Sequence, residues 1–158
     1  MPRLALTRMV LVWPLSCLAL VCALTRGVSA HGGFEERIEA ADRAVEAAPT
    51  DPEPRLVRAE LYRRHGDFDA ALRDLDDATR LSPRVERLEY FRGLVYLDSN
   101  RPAEAETSLR RFLEREPKHP AGHEAHARAL LQLGRPLAAA RAYDRVIALE
   151  PVPVPDRF

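Results

Sequence analysis

Apolar residues recur along this chain on two nested periods. Within segments of roughly a dozen residues they fall three or four apart, as an amphipathic helix requires. Leu72 and Leu75 show this spacing, as do Phe91 and Val95, Leu109 and Phe112, and Tyr143, Val146 and Ile147. Many of the same residues also recur every 34 positions. Tyr62, Tyr96 and Leu130 form one column, Leu75, Leu109 and Tyr143 a second, and Ala78, Phe112 and Val146 a third. Small residues keep the same register in Ala59, Gly93 and Ala127, and again in Ala71, Ala105 and Ala139. Pro49, Pro83, Pro117 and Pro151 close each period. A fixed period of this length is the mark of a stacked repeat architecture.

Each period predicts two helices joined by a turn at Gly66, Asn100 or Gly134, residues that tolerate the left-handed conformation at a helix end. Pro102 and Pro136 stand two residues further on, where a second helix starts and a missing N–H costs nothing. The period-closing prolines then stop that second helix. Small residues midway along the first helix and early in the second let the pair approach closely, while Leu61, Leu133 and Ile147 fill remaining gaps.

The first 30 residues follow another pattern. Arg3, Arg8 and Arg26 are present without any acid, an apolar run extends from Met9 to Leu24, and Val28-Ser29-Ala30 ends the stretch. A basic start, an apolar middle and small residues before the cut describe a secretory signal peptide cleaved after Ala30. Pro14 and Ser16 interrupt the run, which is short of the ~20 apolar residues of a spanning helix. Retention as an anchor is the alternative. Cys17 and Cys22 lie in this segment without the small residues that precede a lipid-modified cysteine, so the mature chain is expected to lack cysteine and to depend on packing alone. The whole chain balances 24 acids against 24 bases, and loss of the three signal arginines leaves a small acidic excess. Nothing in that balance suits nucleic acid, which needs a clustered basic surface.

The columns together resemble the tetratricopeptide repeat. The resemblance implies an all-α, helix-turn-helix solenoid of about three and a half repeats after a cleaved signal peptide: a half repeat at 34–48, full repeats at 54–83, 88–117 and 121–151, and a Pro-rich tail at 152–158. The chain departs from the family pattern at Arg55, Glu89 and His123, where an aromatic is common. It departs again at Arg58, Arg92 and His126, where Leu is usual, and at Phe112, where Ala is usual.

Such arrays curve, and the resemblance places the first helix of each pair on the concave side. The residues expected to face that groove are Leu56, Glu60, Arg63, Arg64, Arg87, Tyr90, Leu94, Asp98, Glu124 and Arg128. Arginine, carboxylate and aromatic side chains suit a bound polypeptide segment. Relatives that grip the acidic tails of chaperones carry Lys and Asn where Leu56 and Glu60 stand here, so that clamp is absent.

The remaining constellations carry less. Arg58, Arg92 and His126 repeat along the first helices. They form either a basic ladder for an acidic partner or, as preferred here, stems packed between helices with heads paired to Asp74, Asp77 or Glu106. His119, His123 and His126, with His31 at the cleaved terminus, are the only metal-ligand candidates and lack a third ligand of fixed geometry. Asp74, Asp76 and Asp77 sit on a helix expected to be solvated outside, and no nucleophile, phosphate loop or carboxylate pair suggests catalysis. The expectation is a non-catalytic, exported adaptor without cofactor or metal, periplasmic in a Gram-negative cell, that binds protein and neither nucleic acid nor membrane. A metal- or small-ligand-binding accessory protein and a structural subunit of an envelope complex are the alternatives. The tail Val152-Pro153-Val154-Pro155-Asp156-Arg157-Phe158 is expected to fold over the last helix pair, or a second subunit or partner to cover that edge; a disordered tail is the alternative.

Overall fold

In the computed structural model, residues 32–83 and 87–149 are described. The chain divides into two compact units, Met1–Gly33 and Phe34–Phe158. Of the first unit only Gly32 and Gly33 are described; the expected signal segment, His31, Pro151 and the C-terminal tail lie outside the described residues.

Among the described residues the chain is all-helical, with seven helices and no strand. They are α1 (Gly32–Ala47), α2 (Pro52–His65), α3 (Phe68–Leu81), α4 (Arg87–Asp98), α5 (Pro102–Arg115), α6 (Pro120–Gln132) and α7 (Pro136–Leu149). None of these is long and apolar enough to cross a membrane.

The turn columns explain why each pair is cut at the same place. Gly66, Asn100 and Gly134 take φ of 88°, 57° and 70°. Each closes a Schellman turn. The next residue's N–H reaches back to the carbonyl of Tyr62, Tyr96 or Leu130 at 2.8–2.9 Å, and the turn residue's own N–H to Arg63, Leu97 or Leu131. The helix starts differ. Pro102 opens α5 as expected, α3 is capped by Asp67, which accepts from Ala70 N–H at 3.0 Å, and α6 is capped by the His119 ring, whose Nδ1 accepts from Gly122 N–H at 3.0 Å. The closing prolines stand two residues beyond the ends of α3 and α5.

α2 packs on α3, α4 on α5 and α6 on α7, and each second helix packs on the first helix of the next pair. The first helices α2, α4 and α6 also touch one another in sequence, whereas no such contact joins α3, α5 and α7. The row of first helices is therefore the tighter one and forms the inner face of the stack. The core runs between the layers: Leu56, Ala59, Leu75, Ala78, Leu88 and Val95 in one cluster, then Leu97, Leu109, Ala125 and Ala129, then Leu130 and Ala139. Close approach is tightest at Gly93, where an added Cβ would lie 2.5 Å from Leu109 Cγ.

Candidate functional site

The inner face is built from α2, α4 and α6, with α1 at one end. A chain of ion pairs crosses it. Glu60 accepts from Arg63 Nε at 2.7 Å and from Arg64 Nε at 2.7 Å; Arg63 also pairs with Asp98, and Asp98 lies 3.8 Å from Arg128. A second link joins Arg87 on α4 to both oxygens of Glu53 on α2, at 2.8 and 2.6 Å. Burial alone would raise the Glu60 carboxyl, but the hydrogen bonds from Arg63 and Arg64 outweigh it and hold it below its ordinary range.

Six of the ten expected groove residues, Glu60, Arg63, Arg64, Arg87, Asp98 and Arg128, take part in these ion pairs. Tyr90 is half-buried, with its ring 5.1 Å from Phe112 and 5.4 Å from His119, and Leu94 is half-buried against the second core cluster. Glu124 is exposed and has no ion-pair partner among the described residues. Leu56 is placed differently. It is 3% exposed and belongs to the core with Leu88 and Val95, because α4 closes over it. It supplies floor to the face, not contact surface.

Sequence reasoning missed four residues. Arg37, Glu53, Val57 and Phe91 line a cavity of about 230 Å³ at the α1 end, together with Glu60 and Arg64. Val57 is 52% exposed. The signal was available in the register: Val57, Phe91 and Ala125 form an apolar column, and Glu53 and Arg87 are opposite charges one period apart.

The opposite side of the first helices holds the Arg58, Arg92 and His126 column. Arg58 forks onto Asp74 at 2.7 and 2.6 Å and donates to Asp42 at 2.7 Å. Arg92 pairs with Asp76 at 2.9 Å and donates to Thr79 Oγ1 at 3.0 Å. Asp77, one residue and about 100° further round α3, turns to Arg80 instead. Asp74 is buried at 4% exposure, not solvated, because Arg58 covers it. His126 Nε2 lies 3.7 Å from Glu106, too far for a hydrogen bond.

Among the described residues the histidines take separate roles. His119 caps α6, His123 Nε2 lies 2.9 Å from the Pro117 carbonyl, and His65 stacks on Phe34 at 3.7 Å. Among the described residues no group of three His, Cys, Asp or Glu side chains is placed to hold a metal ion.

The tetratricopeptide repeat family matches the chain at residues 56–120 and 90–153, overlapping stretches that together span more than half of it. The chain belongs to the tetratricopeptide repeat family. No protein of curated function matches it. Solved structures of MamA share its fold. That of MamA from Desulfovibrio magneticus has a TM-score of 0.69 at 18% identity, covering 86% of this chain and 73% of that one. Another MamA crystal structure has a TM-score of 0.68 at 20% identity, covering 76% and 70%. At such identities the likeness shows how tetratricopeptide pairs stack and nothing of what is bound.

Proposed function

We propose that this tetratricopeptide array is a non-catalytic adaptor that holds a polypeptide segment along its inner face. The observation that carries the reading is the apolar strip of Val57, Phe91 and Tyr90 set beside the ion-pair chain from Arg64 to Arg128. An extended segment can lay aliphatic or aromatic side chains on the strip while its backbone and charges meet arginines and carboxylates already held in place. Those pairs neutralise one another, so the face favours a partner of mixed polarity over a strongly charged one. Export through residues 1–30 is part of the same reading and rests on the charge and apolar pattern there.

A random peptide library selected on the full chain tests it. Selected peptides should lose at least tenfold in affinity against the Tyr90→Ala, Arg128→Ala double variant. They should keep their affinity against Arg73→Ala, an exposed change on α3. Unchanged capture by the double variant would sink the inner face as the binding surface.

A further inference from the structure

The Arg58, Arg92 and His126 column decays along the array, and its last rung is incomplete. Each rung has a central residue on a first helix, one neighbour 16 positions earlier on the preceding second helix, and one 16 positions later on its own second helix. In the first rung these are Asp42, Arg58 and Asp74, and the guanidinium is clamped from both sides. In the second they are Asp76, Arg92 and Ser108, and only the earlier acid pairs. In the third they are Arg110, His126 and Ala142. The early acid has become a base, the late acid a methyl group, and the central guanidinium a shorter imidazole.

Tyr62 and Tyr96, which flank the first two rungs, give way to Leu130. Three columns thus shrink in register, and a cleft opens where they meet. A cavity of about 360 Å³ lies at the second rung beside Arg92, Tyr96 and Ser108, and one of about 500 Å³ at the third. The third is walled by α5, α6 and α7, on the side of α6 away from Glu124 and Arg128. Its volume falls in the range of small-molecule sites.

We propose that the cleft between α5, α6 and α7 binds a small aliphatic carboxylate. Leu113, Leu130, Ala138 and Ala142 form its apolar wall. Arg110, His126 and Arg141 line the same cleft as Ala142, which holds the column position of Asp74, so a ligand carboxylate there completes the broken rung. Among the described residues Arg141 has no ion-pair partner and His126 Nε2 is a buried atom without a hydrogen bond. Glu106 and Glu114 also border the cleft, but Glu106 already sits 3.7 Å from both Arg110 and His126 and leaves their remaining capacity free. Burial lowers the His126 pKa, with Arg110 and His123 adding to that effect and Glu106 opposing it. A bound carboxylate favours the protonated ring, so binding takes up a proton and strengthens as pH falls from 8 to about 6.

Hexanoate titrated into the full chain, followed by methyl NMR and calorimetry, is the test. Saturable shifts are expected at Leu113, Leu130, Ala138 and Ala142, with hexanamide at least tenfold weaker and hexanoate several-fold tighter at pH 6 than at pH 8. Ala142→Asp supplies the missing acid from within. It should abolish binding while leaving the melting temperature unchanged or higher. Should that variant not fold, Arg110→Gln, whose side chain is 57% exposed, should fold and bind hexanoate at least fivefold more weakly. Equal affinity for hexanoate and hexanamide, undiminished binding by folded Ala142→Asp or Arg110→Gln, or an acidic peptide that hexanoate cannot displace would each overturn the proposal.

Discussion

Phe112 and Gly122 share one space: a Cβ on Gly122 would lie 2.7 Å from Phe112 Cε1. One repeat earlier the same two columns hold Ala78 and Leu88, both buried in the first core cluster. The large and small partners have changed places across the joint between a second helix and the next first helix. Volume is conserved while its source is reversed, which is the kind of exchange a packed interior tolerates best.

Gly122→Ala should therefore destabilise by about 1–3 kcal/mol through overpacking, although alanine is the better helix former. Phe112→Ala should cost about 3–5 kcal/mol. The double change to Phe112→Ala with Gly122→Leu restores the arrangement of the earlier repeat and should cost clearly less than the single changes Phe112→Ala and Gly122→Leu summed. Urea unfolding of these variants decides it, and additivity would show that the two sites are not coupled.

The fold was legible because a repeat states its register several times over. Gly66, Asn100 and Gly134 each fix a helix end, and the structure places every one of these turns where the columns put it. The exchange between Phe112 and Gly122 was not legible, because either residue alone looks like a departure from its column, and only their contact makes sense of both. The inner face was legible as a row of helices but only partly as residues. Leu56 was assigned to it and is buried, while Val57, its neighbour on the chain, is the exposed one. One step along a helix is about 100°, so a groove edge cannot be placed from periodicity alone when α4 overhangs it.

Asp74 is the most consequential polar residue in the core. It is 4% exposed, and both oxygens are taken by Arg58. Replacing it with Ala leaves a half-buried guanidinium held only by Asp42, and the expected cost is near the lower end of the roughly 3–5 kcal/mol for breaking such a pair. Arg58→Leu together with Asp74→Leu should recover most of that loss, since no charge is then left without a partner. Thermal unfolding of the single and double variants is the measurement, and a double variant as unstable as Asp74→Ala would refute the account.

His126 should make stability depend on pH in a window that the carboxylates leave alone. Its folded pKa is lowered from 6.5, chiefly by burial. Below 6.5 the unfolded chain binds the proton more readily than the folded one, so stability falls as pH drops from about 6.5 through the lowered folded value. Glu60, held below its ordinary 4.5, loses its contribution only at more acid pH. Melting temperatures between pH 8 and pH 5 should decline for the native chain and decline less for His126→Gln. Parallel curves would assign the slope to other groups.

Leu97 and Leu131 occupy the same place in successive repeats, yet one is 3% exposed and the other 50%. The difference is the helix that follows: α6 lies over Leu97, and no described helix lies over Leu131. In a stack where each pair contacts only its neighbours, the worth of a side chain is set by what packs on it and not by its column. Leu97→Ala should thus cost about 2–5 kcal/mol, whereas Leu131→Ala should stay within about 0.5 kcal/mol. Ile147, 64% exposed on the same terminal pair, should behave like Leu131. Chemical denaturation of the three variants at several protein concentrations separates two causes. A large, concentration-dependent loss at Leu131 or Ile147 would mean that this edge is covered in solution by a second copy.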